Sequence, residues 1–329
     1  MSRHPQNNES PISTSPDPVQ LQAGQLAAVQ LRDAQLRASR TRAILLVIGA
    51  SATFTIAAAG VKAIGPDLPV AQVVLFRNIF ALPLLLVILW RAGGLVAMRT
   101  RTPWAHLERA LWGMFGMFGA FHGYTHLPIA TVTALGFTMP LFLTALSVVL
   151  LKEQVGWRRW SAVVVGFIGV LVMVRPFASV DGAAMPMFSV AVVLLGAFGW
   201  AMAMLTIRRM GEAGESGVAI VLWFALISIT LTSFAAIPVW VTPAPGDWAL
   251  LVMVGLASAV AQLLMTAAYR RGETTLLAPF EYVGIVWTMV VGIGIWAEWP
   301  DGWDLAGFAV LVGAGLYIWR REVVRAARR

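Results

Sequence analysis

The sequence predicts an all-α integral membrane protein in which ten transmembrane helices form two inverted five-helix repeats around a central cavity. Three observations carry that prediction. Ten apolar stretches are long enough to cross a bilayer, their connections alternate between rich and almost bare in Arg and Lys, and the chain resembles itself at an offset of about 145 residues. Composition agrees, since 59% of the 329 residues are hydrophobic, 12% are charged and mean hydropathy is +0.77. A soluble globule of that make-up would lack the polar surface to cover itself.

The expected spans run 43–62, 70–90, 106–124, 128–150, 157–174, 187–207, 217–238, 247–268, 275–297 and 303–320. Most hold about 18 to 24 residues, enough at about 1.5 Å each to cover a hydrocarbon core of about 30 Å. Gly113, Gly116, Gly119 and Gly123 put small residues at helical spacing on the third span, and Gly166 with Gly169 does so less fully on the fifth. Pro140 and Pro279 fall inside the fourth and ninth spans, as hinge candidates or as static bends. Trp90, Trp104, Trp157, Trp240, Trp299 and Trp303 lie at expected span ends, where indoles anchor helices at the interface.

Charge fixes the expected orientation. Arg32, Arg37, Arg40 and Arg42 lie before the first span. Arg91, Arg99, Arg101 and Arg109, then Lys152, Arg158 and Arg159, Arg208 and Arg209, Arg270 and Arg271, and the Arg320 to Arg329 group fall on the same side. The other side holds Lys62 and Arg175 together with Asp67, Asp181, Asp247, Glu298, Asp301 and Asp304. The positive-inside rule then puts both termini in the cytoplasm of a multi-pass inner-membrane protein, which an even number of spans permits.

Five segments follow. Residues 1–42 form a cytoplasmic tail. Its first 20 residues, rich in Pro, Ser, Asn and Asp, read as disordered. From Leu21 to Arg42 the pattern is helical, either lying on the inner leaflet or extending the first span. Residues 43–174 make the first repeat, 175–186 an external linker, 187–320 the second repeat and 321–329 a basic C-terminal tail. No cleavable signal peptide is expected, because the first apolar run begins too late.

The repeat aligns Tyr124 with Tyr269, Glu153 with Glu298 and Arg175 with Arg320, and sets Gly156-Trp157 near Gly302-Trp303. Five spans is an odd number, so the second copy must enter the membrane from the opposite side. Glu153 is then cytoplasmic and Glu298 external, as the charge distribution independently requires.

Several short motifs occur in order along both halves. The first half carries Lys62 at the end of its first span, VVLFRN around Arg77, GYTHLPIATVTAL into the fourth span, and Pro140 followed by LLKE at Glu153. The second carries YRRGETTLLAPFEYVGIVW and IWAE at Glu298. Together they resemble the EamA-type carriers of the drug/metabolite transporter superfamily, over roughly residues 43–320. There is a weaker likeness to the branch named for S-adenosylmethionine uptake, through the Lys62 and Arg77 region and APFEY. The resemblance implies a carrier of a small solute without naming which.

Polar groups at membrane depth are the candidates for substrate binding or coupling, because a charge there is costly unless it faces a cavity or a partner. Arg77 lies about 10 Å into the second span by helical rise. Its fork could hold a carboxylate or phosphate, or fix a neighbouring helix. Glu281, in the ninth span, could carry a coupling proton or meet a cationic solute, or be satisfied by Tyr282 and a helix break near Pro279. Arg77 and Glu281 could also pair with each other. Lys62 either snorkels to the outer interface or, as the resemblance suggests, lines the external mouth. Trp200, Trp223 and Trp287 lie deeper than the anchoring tryptophans and could wall a cavity or pack between helices. Tyr124, Gln262, Tyr269 and Tyr282 could bond a solute or another helix.

Composition also excludes chemistries. There is no Cys, which removes disulfides, thiolate metal sites and thiol nucleophiles. His122 and His126 share a face at i, i+4, but two ligands without a nearby acid or Cys do not make a zinc site, so no metal is expected. No phosphate-binding Gly-rich loop is present, so neither a cofactor nor ATP-driven transport by this chain alone is expected. The net charge of +8 lies in connections and tails, which favours anionic lipid over nucleic acid as partner. The expected function is secondary transport of a small polar metabolite, an amino acid, nucleoside-like or S-adenosylmethionine-like solute, by alternating access, with proton coupling or exchange, by a monomer or homodimer. A non-transporting assembly protein and a membrane-embedded enzyme are the alternatives.

Overall fold

The computed structural model describes residues 18–151, 157–175, 185–269, 277 and 280–326. Among these every regular element is helical and no strand occurs. Helix α1 spans Pro18–Ile64, α2 Val70–Arg91, α3 Pro103–His126, α4 Ile129–Gly136, α5 Met139–Leu151 and α6 Trp157–Val174. The second half holds α7 Met187–Glu212, α8 Gly217–Ala236, α9 Pro245–Tyr269, α10 Val283–Trp296 and α11 Gly302–Ala326. Among the described residues, seven helical stretches are long and apolar enough to cross a membrane. Helix α3 has the length, but Glu108 and Arg109 stand near its start, while α6 and α10 are apolar and shorter.

Two expectations are corrected. The helix begins at Pro18, three residues inside the segment read as disordered, and runs unbroken into the first span, the second of the two alternatives expected for residues 21–42. Pro at the first helical position and a run of Leu, Ala, Gln and Arg favour that continuation. The fourth span, expected to be continuous over 128–150, is broken between α4 and α5. Pro140 supplies the cause: it has no N–H for the carbonyl of Gly136, and its ring crowds that turn. The gap is closed locally, with Phe137 N–H on the carbonyls of Thr133 and Ala134 and the Thr138 hydroxyl on Leu135 O at 2.6 Å. Pro279 lies outside the described residues. The ninth span is nevertheless interrupted as well, by a turn at Tyr282 just before α10.

Small residues set the helix crossings. Gly119 of α3 meets the backbone of Gly196 and Val192 on α7 so closely that a Cβ would overlap both. Gly169 of α6 and Gly307 of α11 allow the same approach between those two helices, since α11 crosses at Val310 and Leu311 N while the Gly169 carbonyl sits over Gly307. The principal packed pairs are α3 with α7, α1 with α9, α6 with α11, and α2 with both α8 and α9. Further pairs are α3 with α8, α5 with α7, α1 with α10, and α4 with α10.

Tryptophans expected at span ends are exposed, with Trp90 at 78%, Trp104 at 80% and Trp299 at 75%, as side chains meant for lipid headgroups should be.

Candidate functional site

The two interruptions face each other. Phe137, in the α4–α5 break, lies against Tyr282, in the turn before α10, with ring centroids 4.7 Å apart. Around them, Ser51 of α1, Thr133 of α4 and Gly284 of α10 come together, and the absence of a side chain at Gly284 leaves room beside Phe137. The Tyr282 hydroxyl lies directly over Gly315 of α11. Tyr124 is hydrogen-bonded to Thr133 and joins two apolar clusters, so it acts as a strut between α3 and α4. Glu281 and Gln262 are half-buried. Trp287 of α10 has its indole N–H shielded from solvent and without a hydrogen-bond partner. Trp200 fits into the notch at Gly116 of α3, whereas Trp223 donates to Met98 O at 3.1 Å and fastens a connection.

Arg77 of α2 is not paired with Glu281. Its Nη1 approaches Met117 Sδ at 3.4 Å and Asn78 Oδ1 at 3.5 Å. Arg109, which the charge pattern assigned to a connection, is instead inside the bundle, with its guanidinium 3.8 Å above the ring of Phe224 on α8. Its Nε and Nη1 are shielded from solvent and have no hydrogen-bond partner. The available signal was Gly113, one turn further along α3, where a Cβ would overlap the guanidinium.

The face of the bundle poor in arginine is crossed by ion pairs and hydrogen bonds between segments. Lys62 is turned inward rather than snorkelling outward: its Nζ bonds Glu298 Oε1 at 2.7 Å and Leu127 O at 2.9 Å, and its side chain is only 12% exposed. Glu298 Oε2 accepts the N–H of Ile129 at 3.0 Å, which joins the α3–α4 connection to the end of α10. Ala297, in the left-handed conformation, turns the chain so that Glu298 points back. Arg175 pairs with Asp301 at 2.8 Å, and Asp301 also accepts the N–H groups of Trp303 and Asp304 at the start of α11. Both cations on this face are thus held by acids of one short connection. Gln72, at the start of α2, grips the backbone of Val241 in both directions, at 2.6 and 3.1 Å.

The opposite face has a comparable clamp, which the sequence did not suggest. Glu215, before α8, accepts from the Thr100 and Thr102 hydroxyls, both at 2.9 Å, and from the N–H groups of Arg101 at 2.8 Å and Thr102 at 3.0 Å. His106 lies 3.4 Å from its other oxygen. Burial pushes the Glu215 carboxyl up, but these donors outweigh it and hold it down to about 2.

His122 and His126 stack with ring centroids 4.1 Å apart, and His122 Nε2 meets Ser189 Oγ at 3.1 Å. Among the described residues no three His, Asp or Glu side chains gather as a metal site would need.

Apolar membrane-length helices, interrupted spans in contact and ionisable groups buried between helices define a multi-pass membrane protein of transporter type. More particularly, the chain belongs to the EamA-like transporter family, whose sequence profile matches residues 41–175 and again 187–320. It is 29% identical over 258 residues to the S-adenosylmethionine uptake transporter of Rickettsia bellii, covering 78% of this chain and 86% of that one. It is 30% identical over 286 residues to the pseudopaline exporter CntI of Pseudomonas aeruginosa, covering 85% and 96%. With the riboflavin transporter of Rhizobium johnstonii it shares 29% over 251 residues, covering 76% and 80%. A solved crystal structure superposes with a TM-score of 0.59 at 19% identity, over 85% of this chain and 98% of the other, which is a likeness of fold.

Proposed function

We propose that the protein is a secondary carrier that moves a small polar metabolite across the inner membrane by alternating access, its two halves being inverted repeats that rock about a site between them. The observation that carries this reading is the contact of Phe137 with Tyr282. The two residues are about 145 positions apart, the offset at which the halves align, and equivalent residues can touch only near the axis that relates the halves. The helix pairs support it. Exchanging α1, α2, α3, α4–α5 and α6 for α7, α8, α9, α10 and α11 turns the principal pairs into one another: α1 with α9 becomes α7 with α3, and α2 with α9 becomes α8 with α3. The clamps obey the same exchange, with Gln72 at the start of α2 holding the connection after α8 and Glu215 at the start of α8 holding the connection after α2.

In this reading the arginine-poor face is external and closed, by Lys62–Glu298 and Arg175–Asp301, and both termini are cytoplasmic. The three relatives are named for three different cargoes, so family membership supports a small metabolite and leaves open its choice among amino acid, nucleoside-like and S-adenosylmethionine-like solutes. Glu281 is the proposed proton-coupling group, while Pro140 and Pro279 are the proposed hinges. Counterflow uptake of labelled S-adenosylmethionine, amino acids, nucleosides or riboflavin into proteoliposomes preloaded with the same unlabelled solute tests the proposal. Saturable uptake of one of them is expected, and folded protein that moves no solute would sink it.

A further inference from the structure

We infer that Arg77 and Arg109 together form an anion-binding subsite, and that the transported solute carries a carboxylate or phosphate group held between them. This rests on the carrier reading and adds the chemical class of the cargo.

The argument begins with where Arg109 points. It lies six residues into α3, within reach of the arginine-rich face. An arginine in that position ordinarily snorkels toward the interface, the more so because helical side chains lean toward the N-terminus. Arg109 does the opposite. Its guanidinium extends along the helix over Gly113, deeper into the span, and stacks on Phe224 of α8. The side-chain-free Gly113 is what makes room for it, since a Cβ there would overlap the guanidinium and press on Phe224.

Two turns along the same face of α3 stands Met117, which Arg77 reaches from α2. Arg77 thus reaches the same face of α3 one turn beyond Gly113, over which the Arg109 guanidinium lies. Neither makes an ion pair with a carboxylate among the described residues, and the partners of Arg77 are a thioether and one long contact to an amide oxygen. Arg109 keeps Nε and Nη1 without any acceptor. Buried cations are retained when paired or when they face a ligand, because desolvating an uncompensated charge costs several kcal/mol per ion. Two half-buried guanidiniums along one face of α3, with donors unused, call for an anion, and the planar fork of Arg suits the two oxygens of a carboxylate or the three of a phosphate. The Phe224 ring holds Arg109 from one face and leaves the in-plane N–H groups free for such a contact.

The test uses the full-length protein in nanodiscs, with thermal unfolding as readout and succinate, glutamate and inorganic phosphate as probes. Succinamide and glutamine serve as uncharged matches, and chloride as the simple ion. At least one organic or phosphate anion should raise the melting temperature where its neutral match does not. R77Q and R109Q should each weaken that effect on the order of 10- to 100-fold, the range for loss of a hydrogen-bonded charge. The ligand-free R109Q protein should melt no lower than wild type, because a guanidinium with shielded, unpartnered donors has been removed. A purely structural Arg109 would instead leave that variant less stable, and this outcome overturns the inference. Equal stabilisation by the neutral matches, or stabilisation by chloride alone, also overturns it. Proteoliposome flux separates the two readings. Transport of a neutral solute undisturbed in R77Q and R109Q leaves the carrier standing without the anion site, whereas arginine-dependent binding with no flux of any solute leaves the site standing without the carrier.

Discussion

Phe137 and Tyr282, one from each interrupted span, meet with their ring planes tilted by 43° and their centroids 4.7 Å apart. This contact joins the breaks of the two halves, so its loss should be felt in stability. Phe137→Ala and Tyr282→Ala are each expected to destabilise the protein, with a coupling of about 0.5–1.5 kcal/mol in the double-mutant cycle. Thermal melts of the four proteins check the coupling. A sum of the two single effects would show that the rings merely occupy adjacent space.

The Lys62–Glu298 pair gives a second expectation. Removing one partner leaves a buried charge alone, which costs about 3–5 kcal/mol, while removing both is milder. Lys62→Met should therefore be less stable than Lys62→Met with Glu298→Gln. Both variants should also open the arginine-poor face, read as faster labelling of a cysteine introduced at Leu127 by a water-soluble maleimide. Unchanged labelling would mean that the pair closes nothing.

Glu215 links stability to pH. Its carboxyl is held down to about 2 against an ordinary value of 4.5. A depressed folded value stabilises the charged form, so this contribution is complete above about 4.5 and is lost as pH falls from there toward 2. Glu215→Ala should cost about 1.5–3 kcal/mol at neutral pH, as for hydrogen bonds to a charged group, and should flatten the acid limb of the stability curve. Melting curves from pH 7 to 3 provide the measurement.

Gly119 is expected to tolerate nothing larger, because what surrounds it is the backbone of α7, which cannot move aside as a side chain can. Gly119→Val should abolish folded, monodisperse protein on size exclusion. Gly211→Ala, in a helix position with open space, should lie within about 1 kcal/mol of wild type, on the stabilising side.

Proton coupling predicts that Glu281→Gln flattens the pH dependence of uptake in proteoliposomes. The same uptake rate and pH profile as wild type would remove Glu281 from the coupling step and leave the carrier reading intact.

Much of the architecture was legible because it rests on local or periodic signals. Span length and hydropathy identify membrane helices within a window of residues, and the glycines of α3 fall at helical spacing. Pro140 breaks its helix for a reason contained in its own ring. The separation of Phe137 and Tyr282 equals the repeat offset, but their contact is visible only in the folded chain. What failed was extrapolation from a smooth hydropathy profile. It extended the fourth span through a break at residues 137 and 138, and it counted Arg109 as a connection residue although its own span already began at 106.

The sequence alone determined that this protein belongs in a membrane, how its basic residues are distributed among the connections, and that the family pattern occurs twice along the chain. Those properties are sums over neighbouring residues. Tertiary structure alone decided the partners of the long side chains: Lys62 with Glu298 rather than solvent, Arg77 with Met117 rather than Glu281, Glu215 with the Thr100 to His106 segment, and Arg109 over Gly113 and Phe224. An Arg or Lys side chain reaches several ångströms in any direction its rotamers allow. Where it goes depends on which helix, from how far along the chain, lies within that reach.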